Sequence, residues 1–139
     1  MTSPSNEIYT KEEAIDWLRK RVSLLEKGEE FSLVAEYDGK VVARSRLGFM
    51  GKPSSHVGFV EIEVRKAYRN IGIGTEMLRT SVDQARKRGL RLLVLGVYST
   101  NNVALHVYEK IGFKRVGLIP KFFFNDGDYV DEVVMAMEI

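Results

Sequence analysis

Residues 69–78 read Arg-Asn-Ile-Gly-Ile-Gly-Thr-Glu-Met-Leu, with Gly72 and Gly74 set between a β-rich run and a helical pattern. Glycines at such a junction serve a tight turn, or they let the main chain close around an anion. A P-loop needs Gly-x-x-x-x-Gly-Lys followed by Ser or Thr, and that string is absent. A dinucleotide fingerprint needs a third glycine where Met77 stands. The pattern present is Arg-x-x-Gly-x-Gly, carried by Arg69, Gly72 and Gly74. It follows a strand and opens a helix. The missing side chains let phosphate oxygens approach the backbone. The amides of residues 71–75 would then face outward at a helix N-terminus, where partial positive charge favours an anion. Arg69 adds a full positive charge nearby.

The surrounding chain bounds what this junction can serve. Its 139 residues are 45 % hydrophobic and 29 % charged, which suits one globular domain with a sizeable core. The net charge is only +2, and the basic residues are dispersed, which argues against a nucleic-acid partner. The densest basic cluster, Arg86, Lys87, Arg88 and Arg91, falls at the end of a predicted helix and complements its dipole. No apolar stretch is long enough to span a bilayer, and the polar start is not followed by a signal-peptide core, so no membrane partner is expected. Cysteine is absent, which removes disulfides, a thiolate nucleophile and Cys-ligated zinc, and fits a reducing, cytoplasmic setting. His56 and His106 are the only histidines, so no metal centre is expected.

Residues 1–10 read as a flexible lead. Thr10 and Glu13 have capping-box spacing, and Ala14, Ile15, Leu18, Val22 and Leu25 recur at helical intervals, predicting a helix over 11–27 that stops at Gly28. The β-rich runs 31–37 and 40–49 flank Asp38-Gly39, a hairpin signal. A strand over 57–64, a helix over 73–88 and an apolar run over 90–97 follow. The last reads as a central strand buried on both faces. A short helix over 102–111 closes at Gly112. A strand over 113–119 breaks at Pro120, and a final strand covers 129–138. Phe122, Phe123 and Phe124 are adjacent and cannot share one strand face, which predicts either ordinary packing on two sides or an exposed apolar element that walls an acceptor site or meets a second copy. The order describes a single α/β domain over 1–139 with a mixed sheet, its 57–64 and 90–97 strands parallel around a helix.

Two flanks specify the glycine junction further. Val-Glu-Ile-Glu-Val64-Arg-Lys-Ala-Tyr68 precedes it, and Asn101-Asn-Val-Ala104-Leu-His-Val-Tyr108-Glu-Lys-Ile-Gly112-Phe113 follows the next strand. Together they resemble the core of the GNAT superfamily of acyl-CoA-dependent N-acetyltransferases, in which Val and Arg or Gln precede Gly-x-Gly, and Asn-x-x-Ala-x-x-x-Tyr-x-x-x-Gly-Phe lies one strand later. The resemblance runs from about residue 31 to the C-terminus and is strongest over 57–113. The tail from Gly127 to Met135 is similar to the branch that includes ribosomal-protein and polyamine acetyltransferases.

The resemblance implies a GNAT-like single domain, a mixed but mostly antiparallel sheet flanked by helices. Such domains begin with an edge strand and a helix ahead of the one at 11–27, and only about ten residues precede it here, so the expectation is either a truncated chain or a protein that lacks that first strand and helix. The implied activity is transfer of acetyl from acetyl-CoA to a primary amine by direct attack in a ternary complex. The acceptor is a protein N-terminus, a lysine, a polyamine or a small metabolite, and a homodimer is common in the family. Ile62 and Val64 would line the acyl groove, the Val64 amide binding the thioester carbonyl or the pantetheine arm. Arg69, Asn70, Ile71, Gly72, Ile73, Gly74 and Thr75 would hold the pyrophosphate. Asn101 would bond the pantetheine near sulfur, cap the helix, or do both. Tyr108 would be the general acid, since a phenol with a pKa of about 10 is protonated at neutral pH. For the general base the sequence leaves Glu61, Glu63, His56 or a water chain. Strand parity puts both glutamates on one face, opposite Val60, Ile62 and Val64, where ion pairing or solvation is the alternative to catalysis. A non-catalytic acyl-CoA-binding or regulatory domain is the competing function, and the presence of Tyr108 argues for catalysis.

Overall fold

The computed structural model describes residues 30–37 and 39–139. The predicted lead, the helix over 11–27 and Asp38 lie outside them. The described chain begins with an antiparallel hairpin of β1 (Glu30–Tyr37) and β2 (Lys40–Phe49), turning at Gly39. Then come β3 (Val57–Val64), a 3-10 turn at Lys66–Tyr68, α1 (Ile73–Lys87), β4 (Leu92–Tyr98), α2 (Asn102–Ile111), β5 (Lys114–Asn125) and β6 (Asp128–Glu138). The six strands form one sheet in the order β1-β2-β3-β4-β6-β5. Every neighbouring pair is antiparallel except β3 and β4, the two strands joined through α1.

The core lies between the sheet and the two helices. Met77, Leu78, Val82 and Ala85 make the buried stripe of α1, at the spacing read from the sequence. They meet Leu47 of β2, Val60, Ile62 and Val64 of β3, and Leu93, Leu95 and Val97 of β4, all in one cluster. Full burial of a leucine such as Leu47, Leu78 or Leu93 is worth about 1.5–3 kcal/mol. The one buried polar pair between sheet and helix among the described residues satisfies itself: the Ser45 and Ser81 hydroxyls sit 3.1 Å apart.

Two expectations need correcting. β4 is central, but only alternate residues are buried; Val94, Gly96 and Tyr98 on its other face are partly exposed. The continuous apolar run therefore marks one packed face and one face that borders a cavity. Nor does Pro120 end a strand. β5 continues past it to Asn125, because among the described strands β5 is outermost, and an edge strand tolerates a residue without an N–H. What Pro120 does accompany is an interruption of the β5–β6 register between Ile119 and Phe123. There Lys121 turns to φ 54° and its amide donates to Asp131 Oδ1 at 2.9 Å.

Candidate active site

The parallel ladder between β3 and β4 is short. It runs only from Val57↔Leu92 to Phe59↔Val94, although β3 continues to Val64 and β4 to Tyr98. The β4–β6 ladder, by contrast, is continuous from Leu92↔Glu138 to Tyr98↔Glu132. A seam thus opens in the middle of the sheet. Its β3 edge has a defined polarity. The Met50 amide donates to the Val57 carbonyl and the Arg65 amide to the Val42 carbonyl, so odd-numbered residues of β3 bond toward β2. Successive residues alternate, which turns the N–H and C=O of Ile62 and Val64 toward the seam. The Val64 carbonyl is taken by Arg69, whose Nε donates to it at 2.9 Å. The Val64 amide faces the opening.

On the helix side, a narrow cleft of about 80 Å³ runs along this edge. Ile62, Val64, Asn70, Gly72, Gly74 and Thr75 form one side of it. Val103, Ala104, Val107 and Tyr108 of α2 form the other. The sequence-predicted residues therefore largely converge. Arg69 lies nearby but acts first as a clasp on the end of β3. Ile73 packs on the core, Ile71 is exposed, and Asn101 stands at the head of α2, where its Oδ1 accepts from the Ala104 amide at 3.1 Å. Of the two roles expected for Asn101, the cap is thus seen.

Gly72 is the N-cap of α1 at φ 92°, a left-handed conformation that costs other residues energy, and it follows Asn70 at φ 64°. No side chain caps this helix. The first-turn amides of an α-helix have no intrahelical acceptor, so this end offers donors to a ligand. A β-carbon on Gly72 would meet nothing within 4 Å, and one on Gly74 would only touch Val64 Cγ2 at 3.7 Å. The space over the helix start is therefore left open by the protein, as a pyrophosphate cradle requires.

Tyr108 is 5 % exposed, and its ring meets that of Phe113 edge-on with centroids 6.2 Å apart. Burial pushes its phenol above the usual tyrosine range, because the phenolate would be poorly solvated. The hydroxyl keeps its proton throughout the physiological range. The base candidates fare differently. Glu61 pairs with Arg46, its Oε2 accepting from Nε at 3.0 Å, and Glu63 accepts from Arg44 Nη2 at 3.0 Å. His56 lies in an exposed loop, where its carbonyl accepts from the Arg91 amide at 2.8 Å. The ion-paired reading of the two glutamates is the one observed.

The opposite side of the seam is a broad basin of about 960 Å³. Arg46, Phe59, Glu61, Gly96, Phe123 and Glu132 are among its walls. Of the three phenylalanines, Phe123 stacks on Tyr98 at 4.2 Å, while Phe122 and Phe124 are more than half exposed. No motif in the sequence marks Glu132. The signal was its parity. Val133, Met135 and Met137 are the buried face of β6, which puts Glu132 with Val134 and Ala136 on the other, as a carboxylate in an apolar row.

Fold and cleft together define an acyltransferase-type sheet, opened at its centre beside a glycine-capped helix. The chain belongs to the acetyltransferase (GNAT) family, whose model matches residues 2–113. It is 32 % identical over 127 residues to an N-alpha-acetyltransferase of Sulfurisphaera tokodaii, covering 83 % of this chain and 73 % of that one. It is 33 % identical over 111 residues to a probable N-acetyltransferase, camello, of Xenopus tropicalis, covering 75 % of this chain. The match spans 51 % of camello, about half its length. The fold matches a phosphinothricin acetyltransferase from Sinorhizobium meliloti solved in complex with acetyl-CoA, with a TM-score of 0.81 at 18 % identity over 89 % of this chain and 69 % of that one. No helix among the described residues is long and apolar enough to cross a membrane.

Proposed function

We propose that this protein is an N-acetyltransferase that moves the acetyl group of acetyl-CoA to a primary amine, the two substrates meeting in a ternary complex. The observation that carries the reading is the alignment of three features along one cleft: the glycine-capped start of α1, the seam-facing Val64 amide, and the buried hydroxyl of Tyr108. The amides of residues 72–75 bind the pyrophosphate. The Val64 N–H donates to the thioester oxygen, where negative charge develops during attack. Arg69 keeps the end of β3 in place for that bond. Tyr108 donates its proton to the departing sulfur. No covalent nucleophile is needed, so the absence of cysteine costs the reaction nothing.

The acceptor is a small-molecule or protein amine, reached from the basin. A cysteine-free chain using acetyl-CoA suits the cytoplasm. Exposed Leu118, Phe122, Phe124 and Tyr129 on the outer hairpin support pairing of two copies, which sedimentation of the pure protein reads directly.

Calorimetry with acetyl-CoA tests the cofactor half, using wild type and Gly74→Trp with NAD and ATP as comparison ligands. Acetyl-CoA binding to wild type, lost in the variant and not reproduced by NAD or ATP, is expected. Absence of acetyl-CoA binding to wild type would overturn the reading. Binding without transfer to any amine would favour the regulatory alternative.

A further inference from the structure

We propose that Glu132 is the general base that takes the proton from the acceptor amine at the floor of the basin, in the place that Gly96 leaves free for it. This role rests on the acetyl-transfer reading.

The geometry is specific. Gly96 sits on β4 beyond the point where the β3–β4 ladder ends, on the wall of the open seam. Glu132 stands on β6 opposite Tyr98, and its side chain lies back along the sheet over Gly96. A β-carbon at position 96 would fall 1.7 Å from Glu132 Oε1 and 2.5 Å from its Cδ. A side chain at position 96 would displace the carboxylate from this place, while Gly96 itself has an ordinary strand conformation that does not call for glycine. The missing side chain at Gly96 leaves the space that the Glu132 carboxylate fills.

The two competing glutamates are occupied. Arg46 engages both Glu61 and Glu30, the latter at 3.5 Å, and Arg44 engages Glu63. No cation is paired with Glu132 among the described residues. The charged groups lining the same basin are Glu30, Glu61 and Arg46; Tyr98 is its cross-strand neighbour on β4, and Ile119 its apolar neighbour on β5. Burial raises the carboxyl above its usual range, toward the pH at which a base works best.

The proton balance is simple. An alkylammonium acceptor carries three protons on nitrogen and the product amide carries one. Glu132 accepts the first and releases it to solvent through the open basin. The free electron pair then forms the C–N bond as the C–S bond breaks. The second proton passes from nitrogen to Glu132 and on to solvent, the sulfur receives one from Tyr108, and Tyr108 is reprotonated from solvent, so one proton is released net per turnover. The two ionisable groups thus stand on opposite sides of the seam, base toward the acceptor and acid toward the leaving group.

The test is the pH dependence of kcat/KM for wild type, Glu132→Gln, Glu132→Asp and Gly96→Ala. The acceptor pool is free L-amino acids, spermidine and peptides with free N-termini, read by mass spectrometry, with acetyl-CoA affinity measured in parallel. Glu132→Gln should lower kcat/KM by about 10²–10⁴-fold and flatten the acidic limb of the profile. Acetyl-CoA affinity should be unchanged. Glu132→Asp should recover part of the rate. Gly96→Ala, which displaces the carboxylate without removing it, should also be slow. A Gln variant within about threefold of wild type, one that keeps the acidic limb, or one that loses acetyl-CoA affinity in step with rate would overturn the assignment. A wild type that binds acetyl-CoA but acetylates nothing in the pool would remove the transfer reading and this role with it. Failure to bind acetyl-CoA at all would strike the cofactor cleft first.

Discussion

The two sides of the β3–β4 seam are built on opposite plans. The helix side is a slot of about 80 Å³ walled by main-chain donors and a buried phenol. The far side is a basin of about 960 Å³ walled by side chains, several of them charged. A slot that binds one invariant molecule can rely on backbone and glycine. A basin that receives a variable acceptor must rely on side chains, which substitution can alter without disturbing the fold. The shared wall is the short parallel ladder, and what separates the functions is only where that ladder stops.

Apart from the Glu132 variants, the largest effect should come from the slot. Tyr108→Phe removes one oxygen and keeps the packing against Phe113. Its kcat should fall about 10²-fold or more, with acetyl-CoA affinity retained, as expected for a proton donor that acts only in the transition state. Because burial raises the phenol pKa, wild type should show no loss of rate from Tyr108 ionisation up to about pH 10, the unshifted value. An unchanged kcat in the phenylalanine variant would make the tyrosine a packing residue and leave the slot a binding site alone.

A smaller effect should follow at the head of α2. Asn101→Ala removes the cap on the Ala104 amide and should cost about 0.5–2 kcal/mol of stability, read in denaturant unfolding. If Asn101 also meets the pantetheine, acetyl-CoA affinity will drop as well, by more than loss of the cap alone explains. The smallest effect should come from the far face. Glu63→Gln breaks a half-exposed pair with Arg44 and should change stability by about 0.2–1 kcal/mol. Its transfer rate should match wild type within about twofold, since the pair is a brace between β2 and β3 and stands outside both cavities' chemistry. A large rate loss there would reinstate Glu63 as the base and blur the contrast between the two sides.

The slot was largely legible in the sequence and the basin was not. Val64, Gly72 and Gly74 lie within one strand-to-helix junction, and Tyr108, 34 residues beyond Gly74, is tied to them by the resemblance of the whole strand–helix–strand–helix run to the family core. Glu132 and Gly96 are separated by more than thirty residues and meet only through the β4–β6 register. A glycine in an apolar strand reads as a packing defect until the side chain filling its space is seen. Similarly, the apolar run over 90–97 signals burial, but periodicity cannot say that one face borders a cavity. Local sequence makes Pro120 a breaker, whereas its tolerance follows from β5 standing at the edge of the described sheet.

The central claim is that the seam joins the two sides and that the acetyl group lies within it. Amide NMR spectra with CoA and with acetyl-CoA test this most directly. Both ligands should shift the amides of residues 72–75. Only the difference between them should mark Ile62, Val64 and Gly96, where the acetyl group would sit. Equal spectra at those three positions, or acetyl-specific shifts confined to the surface around Lys40 and Lys66, would contradict the account.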